Sequence, residues 1–150
     1  MAYSGRFTPV NLEKYKGDFR KITYRSSWEL YVMKFCDTSP HVLKWNSEET
    51  IIPYFSNADG KKRRYFVDFF VQMDNGQTYL WEVKPFKETQ PPIKPVNLTT
   101  SAKKRFIDEV YTWSVNQDKW KATMKVCEQK GWNFRIITEK SLKKYFGFKG

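Results

Sequence analysis

The chain has 150 residues, of which 40% are hydrophobic and 18% aromatic, which suffices for one domain with a real core. Lys and Arg number 27 against 16 Asp and Glu, and the net charge of +11 favours polyanionic partners, nucleic acid first and an anionic membrane surface second. Two distant cysteines exclude a disulfide scaffold and predict free buried thiols, and a single histidine argues against zinc fingers and His-Asn-His nucleases. With no signal peptide and no apolar run near the roughly 20 residues of a membrane span, we expect a soluble intracellular protein without a membrane partner.

Residues 1–24 combine five Lys and Arg residues with Gly, Pro and Tyr, and they show little hydrophobic periodicity. This composition predicts a basic N-terminal arm packed on a single domain that spans residues 25–150. A simple solvated terminus is the alternative.

The first predicted helix begins near Ser26 and ends before Pro40, because Trp28 and three later apolar residues recur at helical spacing. Ser26 and Glu29 also fit a capping box, which is the structural interpretation of Glu29. A strand is predicted over Glu49–Tyr54, where Pro53 favours an edge position. Residues 57–60 form a predicted turn.

Two further strands, Arg64–Met73 and Gln77–Lys84, are rich in Val, Phe, Tyr and Trp and flank the turn-forming sequence Asp74–Gly76. The prolines of residues 85–95 predict an extended surface connection.

The C-terminal part of the chain is predicted to form two helices, a strand and a short last helix. One helix begins at Thr99 or Thr100, and a second covers Asp118–Lys130, with a kink near Asn116 between them. Gly131 fits the position after the last helical turn. The strand covers Trp132–Thr138 and the last helix Ser141–Phe146. The resulting α-β-β-β-α-β order predicts an α/β fold with a central mixed sheet flanked by helices.

Three charged residues interrupt the apolar hairpin strands, namely Asp68, Glu82 and Lys84. A two-residue turn at Asn75 and Gly76 would place Asp68 opposite Val83, with Glu82 and Lys84 on the other face. A three-residue loop with Gly76 left-handed would set Asp68 opposite Glu82, and all three charges would share one face.

Two carboxylates at cross-strand distance repel each other unless a cation lies between them, and Mg²⁺ is commonly held by one or two carboxylates, waters and phosphate oxygens. The pair therefore predicts Mg²⁺, with Mn²⁺ as a substitute, and metal-assisted hydrolysis of a phosphodiester in which Lys84 orients water or stabilises the transition state. The structural alternative is that Asp68 or Glu82 pairs with Lys84 or a basic neighbour.

Asp68, the 13 residues that follow it before Glu82, and the sequence Glu82-Val83-Lys84 resemble the D…E-x-K core of the PD-(D/E)XK nuclease superfamily. The chain departs from that pattern at position 67, where Val replaces the usual Pro. The resemblance implies a restriction-endonuclease-like core in which Asp68, Glu82 and the Val83 carbonyl bind Mg²⁺ and Lys84 positions the attacking water. It also implies that Glu29 binds a second metal or orients the ligands of the first, and that Arg25 approaches a phosphate.

The whole chain also resembles the head-completion nucleases of large contractile-tailed phages, through Met1–Gly5, Gly60–Phe66, Lys87–Pro92 and Gly147–Gly150. This resemblance implies processing or protection of packaged DNA ends with low sequence specificity, and preparation of the filled head for tail attachment. The expected partners are double-stranded DNA, including ends or branched forms, and portal or neck proteins. The expected location is the host cytoplasm during assembly, or the virion.

Two basic clusters are candidate DNA contacts: Lys61, Lys62, Arg63 and Arg64 before the Asp68 strand, and Lys103, Lys104 and Arg105 in the first turns of a predicted helix. Solvated basic faces are the alternative. Two other functions fit the same residues: a structural DNA- or portal-binding head-completion protein with secondary nuclease activity, and a repair or recombination nuclease.

Overall fold

The computed structural model describes residues 3–97 and 99–147, so parts of the two terminal segments that resemble the head-completion nucleases, Met1–Gly5 and Gly147–Gly150, lie outside the described residues. Nine helices and strands are described within these ranges, together with three single 3₁₀ turns. They are β1 (Gly5–Arg6), β2 (Thr23–Tyr24), α1 (Ser27–Thr38), β3 (Val42–Ser56), β4 (Lys61–Met73), β5 (Thr78–Val83), α2 (Thr100–Lys130), β6 (Asn133–Ile137) and α3 (Glu139–Tyr145).

A four-stranded mixed sheet forms the centre, in the order β3-β4-β5-β6. The pairs β3–β4 and β4–β5 are antiparallel, whereas β5 and β6 are parallel, with α2 supplying the crossover between them. The predicted α/β class with a mixed sheet is confirmed, and Pro53 lies on an edge strand as predicted.

The strand β3 is much longer than the predicted Glu49–Tyr54, because its polar first half also pairs with β4. Its register shifts between Ser47 and Thr50, so that two residues of β3 stand opposite Asp68 of β4. One of them, Glu48, has a φ of 56°, in the left-handed region that non-glycine residues rarely adopt. This β-bulge bends the ribbon at Asp68.

The β4–β5 hairpin has the three-residue loop, and not the two-residue turn. Phe69 pairs with Trp81 and Gln72 with Thr78, which sets Asp68 opposite Glu82. Gly76 has a φ of 84°, the left-handed conformation that this loop requires. Two local hydrogen bonds close the loop: the Met73 amide donates to the Gln77 carbonyl at 2.9 Å, and the Gly76 amide donates to the Met73 carbonyl at 3.2 Å.

The helix α2 is continuous, so the predicted break near Asn116 is wrong. No Gly or Pro interrupts residues 100–130, and an Asn inside a helix costs under about 1 kcal/mol. Asn116 is itself buried, and it shares one stripe with Trp120, Thr123 and Cys127 at spacings of four, three and four residues. The helix ends at Gly131 with a φ of 70°, as predicted.

Two apolar clusters cover the two faces of the sheet. One lies under α1 and α3 and contains Met33, Trp45, Phe69 and Leu142, while the other lies under α2 and contains Ile52, Tyr65, Phe70, Leu80 and Cys127. Both cysteines are buried and free, as predicted. Among the described residues no helix is both long and apolar enough to span a bilayer.

The segment before α1 is held to the domain by specific contacts. The two short strands β1 and β2 pair with each other, and the buried Asp37 carboxylate accepts hydrogen bonds from the amides of Val10 at 2.8 Å and Asn11 at 3.0 Å. Lys14 donates to the backbone carbonyls of Asp37 and Ser39 at 3.0 and 2.8 Å. The backbone of this segment is thus anchored to the domain, whereas Arg6, Lys16, Arg20 and Lys21 are exposed to solvent.

Candidate active site

The Asp68 and Glu82 carboxyl groups lie side by side at the point where β4 and β5 diverge. The last backbone pair between these strands is Phe69–Trp81, one residue short of the two acids. Beyond that pair, the Val83 amide donates to Asp68 Oδ2 at 2.7 Å instead of to a β4 carbonyl. The side chain of Asp68 thus takes the place of the next ladder hydrogen bond.

Each acid has one oxygen fixed by a donor from the protein. Val83 N holds Asp68 Oδ2, and the Trp120 Nε1–H of α2 donates to Glu82 Oε2 at 3.2 Å. The N–H and C=O of one strand residue point to the same neighbouring strand, so the Val83 carbonyl also faces the Asp68 side. Second partners of this kind orient carboxylates that bind metal ions.

The electrostatics of the pair are unfavourable when no cation is bound. Burial, the neighbouring Glu82 and, to a smaller extent, Glu29 raise the pKa of Asp68 well above its usual value. Glu82 is only 4% exposed. A divalent cation between the two groups would reverse this penalty, because it favours the ionised form of both.

Lys84 follows the last residue of β5, two residues after Glu82, and lines the cleft that holds both acids. The cleft has a volume of about 560 Å³, and Lys84 also borders a neighbouring cavity of about 540 Å³. Ion pairs in the described part of the chain join Arg20 to Asp18, Arg25 to Glu48, His41 to Asp74 and Arg63 to Asp59, and none involves the three hairpin charges. The structural alternative, in which Lys84 neutralises one acid, therefore finds no ion pair to support it.

Glu29 lines the neighbouring cavity, together with Val83 and Lys84. Its amide donates to Ser26 Oγ at 3.1 Å, and its carboxylate accepts from the Arg25 amide at 3.1 Å. The capping interpretation is therefore correct in outline, with the carboxylate reaching one residue beyond the cap. Burial raises the pKa of Glu29, and the carboxylates of Glu48 and Glu82 add to that shift.

Metal ligands do not form a larger cluster around Glu29. Within residues 3–97 and 99–147 no three His, Cys, Asp or Glu side chains converge closely enough to hold an ion. The donors available for one cation are therefore the carboxylates of Asp68 and Glu82 and the Val83 carbonyl. These oxygen donors fit Mg²⁺, which is commonly held by one or two carboxylates together with water and phosphate oxygens.

The cations of β4 divide between its two faces. Alternation along the first half of the strand places Lys62 and Arg64 on one face, and Arg64 lines the cleft. Arg63 points the other way and is bound by Asp59, with Arg63 Nε donating at 2.8 Å. Lys61 shares that second face.

The other basic candidates differ in their distance from the acids. Arg25 lines the cleft and forms an ion pair with Glu48. Lys103, Lys104 and Arg105 are exposed in the first turns of α2, about 15 residues from Trp120, which is about 23 Å along a helix. The structure does not bring these three cations to the cleft.

Sequence reasoning missed four residues that shape the cleft, namely Glu48, Tyr65, Lys119 and Trp120. Glu48 enters through a bulge, and the helix residues enter because one turn of α2 crosses the acid pair. No local pattern identifies that turn, since long-range packing fixes where α2 meets the sheet. For Trp120, the helical stripe predicted burial but not a hydrogen bond to an acid.

Comparison with known proteins agrees with this geometry. Residues 39–139, about two thirds of the chain, match the family described as "TnsA-like endonuclease N terminal". The chain belongs to the TnsA-like endonuclease family. It is also 55% identical over 150 residues to the "Head completion nuclease" of Enterobacteria phage T4, which covers all of this chain and 99% of that relative.

The predicted nuclease family and restriction-endonuclease-like fold class are thus confirmed. The part matched to the TnsA-like endonuclease family runs from the end of α1 through β6 and contains Asp68, Glu82 and Lys84. Glu29 lies before that part, but within the full-length match to the phage T4 protein.

Proposed function

We propose that this protein is a Mg²⁺-dependent DNA endonuclease of phage head completion. The observation that carries the proposal is the buried pair of Asp68 and Glu82, each with one oxygen fixed by the protein and the pair adjoining Lys84. Membership of the TnsA-like endonuclease family supports the nuclease activity, and the name of the phage T4 relative supports the role in head completion.

Asp68, Glu82 and the Val83 carbonyl would hold the Mg²⁺, with Mn²⁺ as a substitute. Such an ion lowers the pKa of bound water and neutralises charge on a phosphate. Lys84 supplies an ammonium group on the same face, where it orients the attacking water and stabilises negative charge in the transition state. Glu29 would bind a second metal or orient the ligands of the first, from the neighbouring cavity that Val83 and Lys84 also line.

Double-stranded DNA would approach over the outer end of the β3–β4 ribbon. Lys62 and Arg64 share one face of β4, and Arg64 and Arg25 both line the cleft, so a phosphate backbone that enters it would meet several cations. Lys61, Arg63 and the first turns of α2 would attract DNA at longer range through the net charge of +11. Contacts to phosphates alone carry no sequence information, which is consistent with low sequence specificity.

The proposed setting is the filled phage head, in the host cytoplasm or on the virion. There the protein would process packaged DNA ends or branched DNA and meet portal or neck proteins. Residues 25–150 would form the nuclease domain, with residues 1–24 as a basic arm. A second candidate is a structural DNA- or portal-binding protein, favoured by the exposed cations Lys103, Lys104 and Arg105 far from the cleft. A repair or recombination nuclease is the third.

The first test is digestion of supercoiled, linear and branched DNA with and without Mg²⁺. We expect cleavage by the wild type that disappears with chelator, and loss of cleavage with retained folding in Asp68→Ala and Lys84→Ala. Asp108→Asn, a change at an exposed acid of α2, serves as the control. Normal cutting by both site variants would overturn the site assignment.

A head-completion assay separates the first two candidates. If catalysis matters, Asp68→Ala phage heads fail to join tails although the protein still binds DNA. If the protein is structural, those heads mature normally, and charge reversal at Lys103, Lys104 and Arg105 abolishes maturation instead.

A further inference from the structure

The part of the cleft formed by β4 contains a buried hydroxyl that forms no well-aligned hydrogen bond within the described part of the chain. Tyr65 is 4% exposed and lines the cleft, three residues before Asp68. Its hydroxyl makes no hydrogen bond of ordinary geometry with any described residue. Burial and the charges of Glu82 and Asp68 raise its pKa, and Glu82 is also a weak side-chain hydrogen-bond partner, so the group stays protonated and keeps a proton to donate.

This chain satisfies another buried tyrosine hydroxyl inside the protein. The Tyr15 hydroxyl accepts from the Ser47 amide at 3.0 Å and also bonds to the Glu49 carboxylate. Because an unpaired buried hydroxyl lowers folding stability, most such groups have a protein or water partner. The Tyr65 hydroxyl lies beside Glu82 in the cleft, where a ligand can supply an acceptor of better geometry.

A cation of α2 lies against the same tyrosine. Lys119 Nζ is 5.3 Å from the centre of the Tyr65 ring, and the side chain lines the cleft. In residues 3–97 and 99–147 no carboxylate pairs with it and no acceptor bonds it. Burial lowers the pKa of this ammonium, while the charges of Glu82 and Asp68 oppose that effect.

Both groups have a fixed position relative to the acids. Trp120, next to Lys119, donates its hydrogen bond to Glu82, and this bond fixes the helical turn that also presents Lys119. Tyr65 and Asp68 belong to the same strand. A neutral donor and a cation therefore adjoin the acid pair, in addition to Lys84, which lines the same cleft.

We propose that the Tyr65 hydroxyl and the Lys119 ammonium bind the non-bridging oxygens of the scissile phosphate, as phosphate contacts additional to the one that Lys84 provides. The inference rests on the proposed nuclease function and extends it to two residues outside the motif. A phosphodiester suits both groups, because it offers acceptor oxygens to the hydroxyl and negative charge to the lysine. The negative charge grows in the transition state, so both interactions strengthen there.

Tyr65→Phe tests the hydroxyl, because it removes one oxygen and leaves the ring under Lys119. We expect the metal-free variant to unfold at the same denaturant concentration as the wild type or at a higher one, while single-turnover cleavage falls about 100-fold. Tyr54→Phe is the matched control, since Tyr54 is a buried tyrosine of the same ribbon outside the cleft. We expect it to cleave at the wild-type rate.

Lys119→Ala tests the cation through binding as well as cleavage. We expect this variant to bind a DNA duplex more weakly in chelator. The slope of log affinity against log salt concentration should decrease by the amount that about one phosphate contact contributes. Lys121→Ala, at an exposed position two residues away, should leave both the salt dependence of duplex binding and the cleavage rate unchanged. Lys119→Arg should restore the binding slope.

The outcomes separate this inference from the proposed function. A Tyr65→Phe protein that is less stable than the wild type and cleaves normally would show that the hydroxyl holds a buried water, and would overturn its role. An unchanged salt slope and cleavage rate in Lys119→Ala would overturn the role of the lysine. A wild type without metal-dependent cleavage would instead refute the proposed function. The salt dependence of duplex binding by the wild type and by Lys119→Ala would still show whether Lys119 contacts a phosphate.

Discussion

Asp68→Asn removes one charge from the acid pair while keeping an oxygen that can accept the hydrogen bond from the Val83 amide. Groups opposite each other in an antiparallel pair lie roughly 5 Å apart, so two full charges would repel by about 3 kcal/mol at an effective dielectric constant of about 20. Lys84 and Lys119 line the same cleft and offset part of this repulsion. We therefore expect the metal-free variant to be more stable than the wild type by about 1–3 kcal/mol at pH 8.

The gain should depend on pH in a defined direction. The raised pKa of Asp68 means that the folded state holds its proton more tightly than the unfolded chain. That contribution to stability is complete below the unfolded value of about 3.9, and it is lost as the pH rises through the folded value. The two proteins should therefore unfold alike near pH 4 and diverge as the pH rises.

Denaturant unfolding in chelator between pH 4 and pH 8 measures this difference, with Asp108→Asn as the matched change at an exposed acid. Added Mg²⁺ should then stabilise the wild type by about 2.7 kcal/mol at 100 times its Kd, and the Asp68→Asn variant much less. An Asp68→Asn protein less stable than the wild type at pH 8 would refute the reasoning, because it would show that nearby lysines already neutralise the pair.

Two further changes test the parts that hold the acids. Trp120→Phe removes the donor to Glu82 Oε2, so we expect the cleavage rate to fall about 10- to 100-fold with a modest loss of stability. Trp132→Phe, at a tryptophan outside the cleft, is the control. An unchanged cleavage rate in Trp120→Phe would show that Glu82 needs no orienting partner. Gly76→Ala places a Cβ in open space but in a left-handed conformation, and should cost about 1–2 kcal/mol in urea unfolding, with Gly76→Asn costing less. A Gly76→Ala protein as stable as the wild type would contradict the left-handed loop.

Local features of the fold could be predicted because short-range chemistry determines them. The cap at Ser26 and the end of α2 at Gly131 depend on hydrogen bonds and backbone angles within a few residues. The predicted break in α2 failed because nothing in the local sequence shows that Asn116 is buried by packing against the sheet. The first half of β3 was missed because its polar residues form a strand only when β4 pairs with them.

The sequence by itself determined which residues we propose for the chemistry: the spacing of Asp68, Glu82 and Lys84 and the turn residues between the strands restricted the hairpin to two registers. Only the tertiary structure chose the register and brought Tyr65 and Lys119 to the acids. The reason is the range of the interactions. Alternation and turn chemistry act over a few residues, whereas the turn of α2 that meets the acid pair is fixed by packing between segments almost 40 residues apart in the chain, as in the hydrogen bond from Trp120 to Glu82.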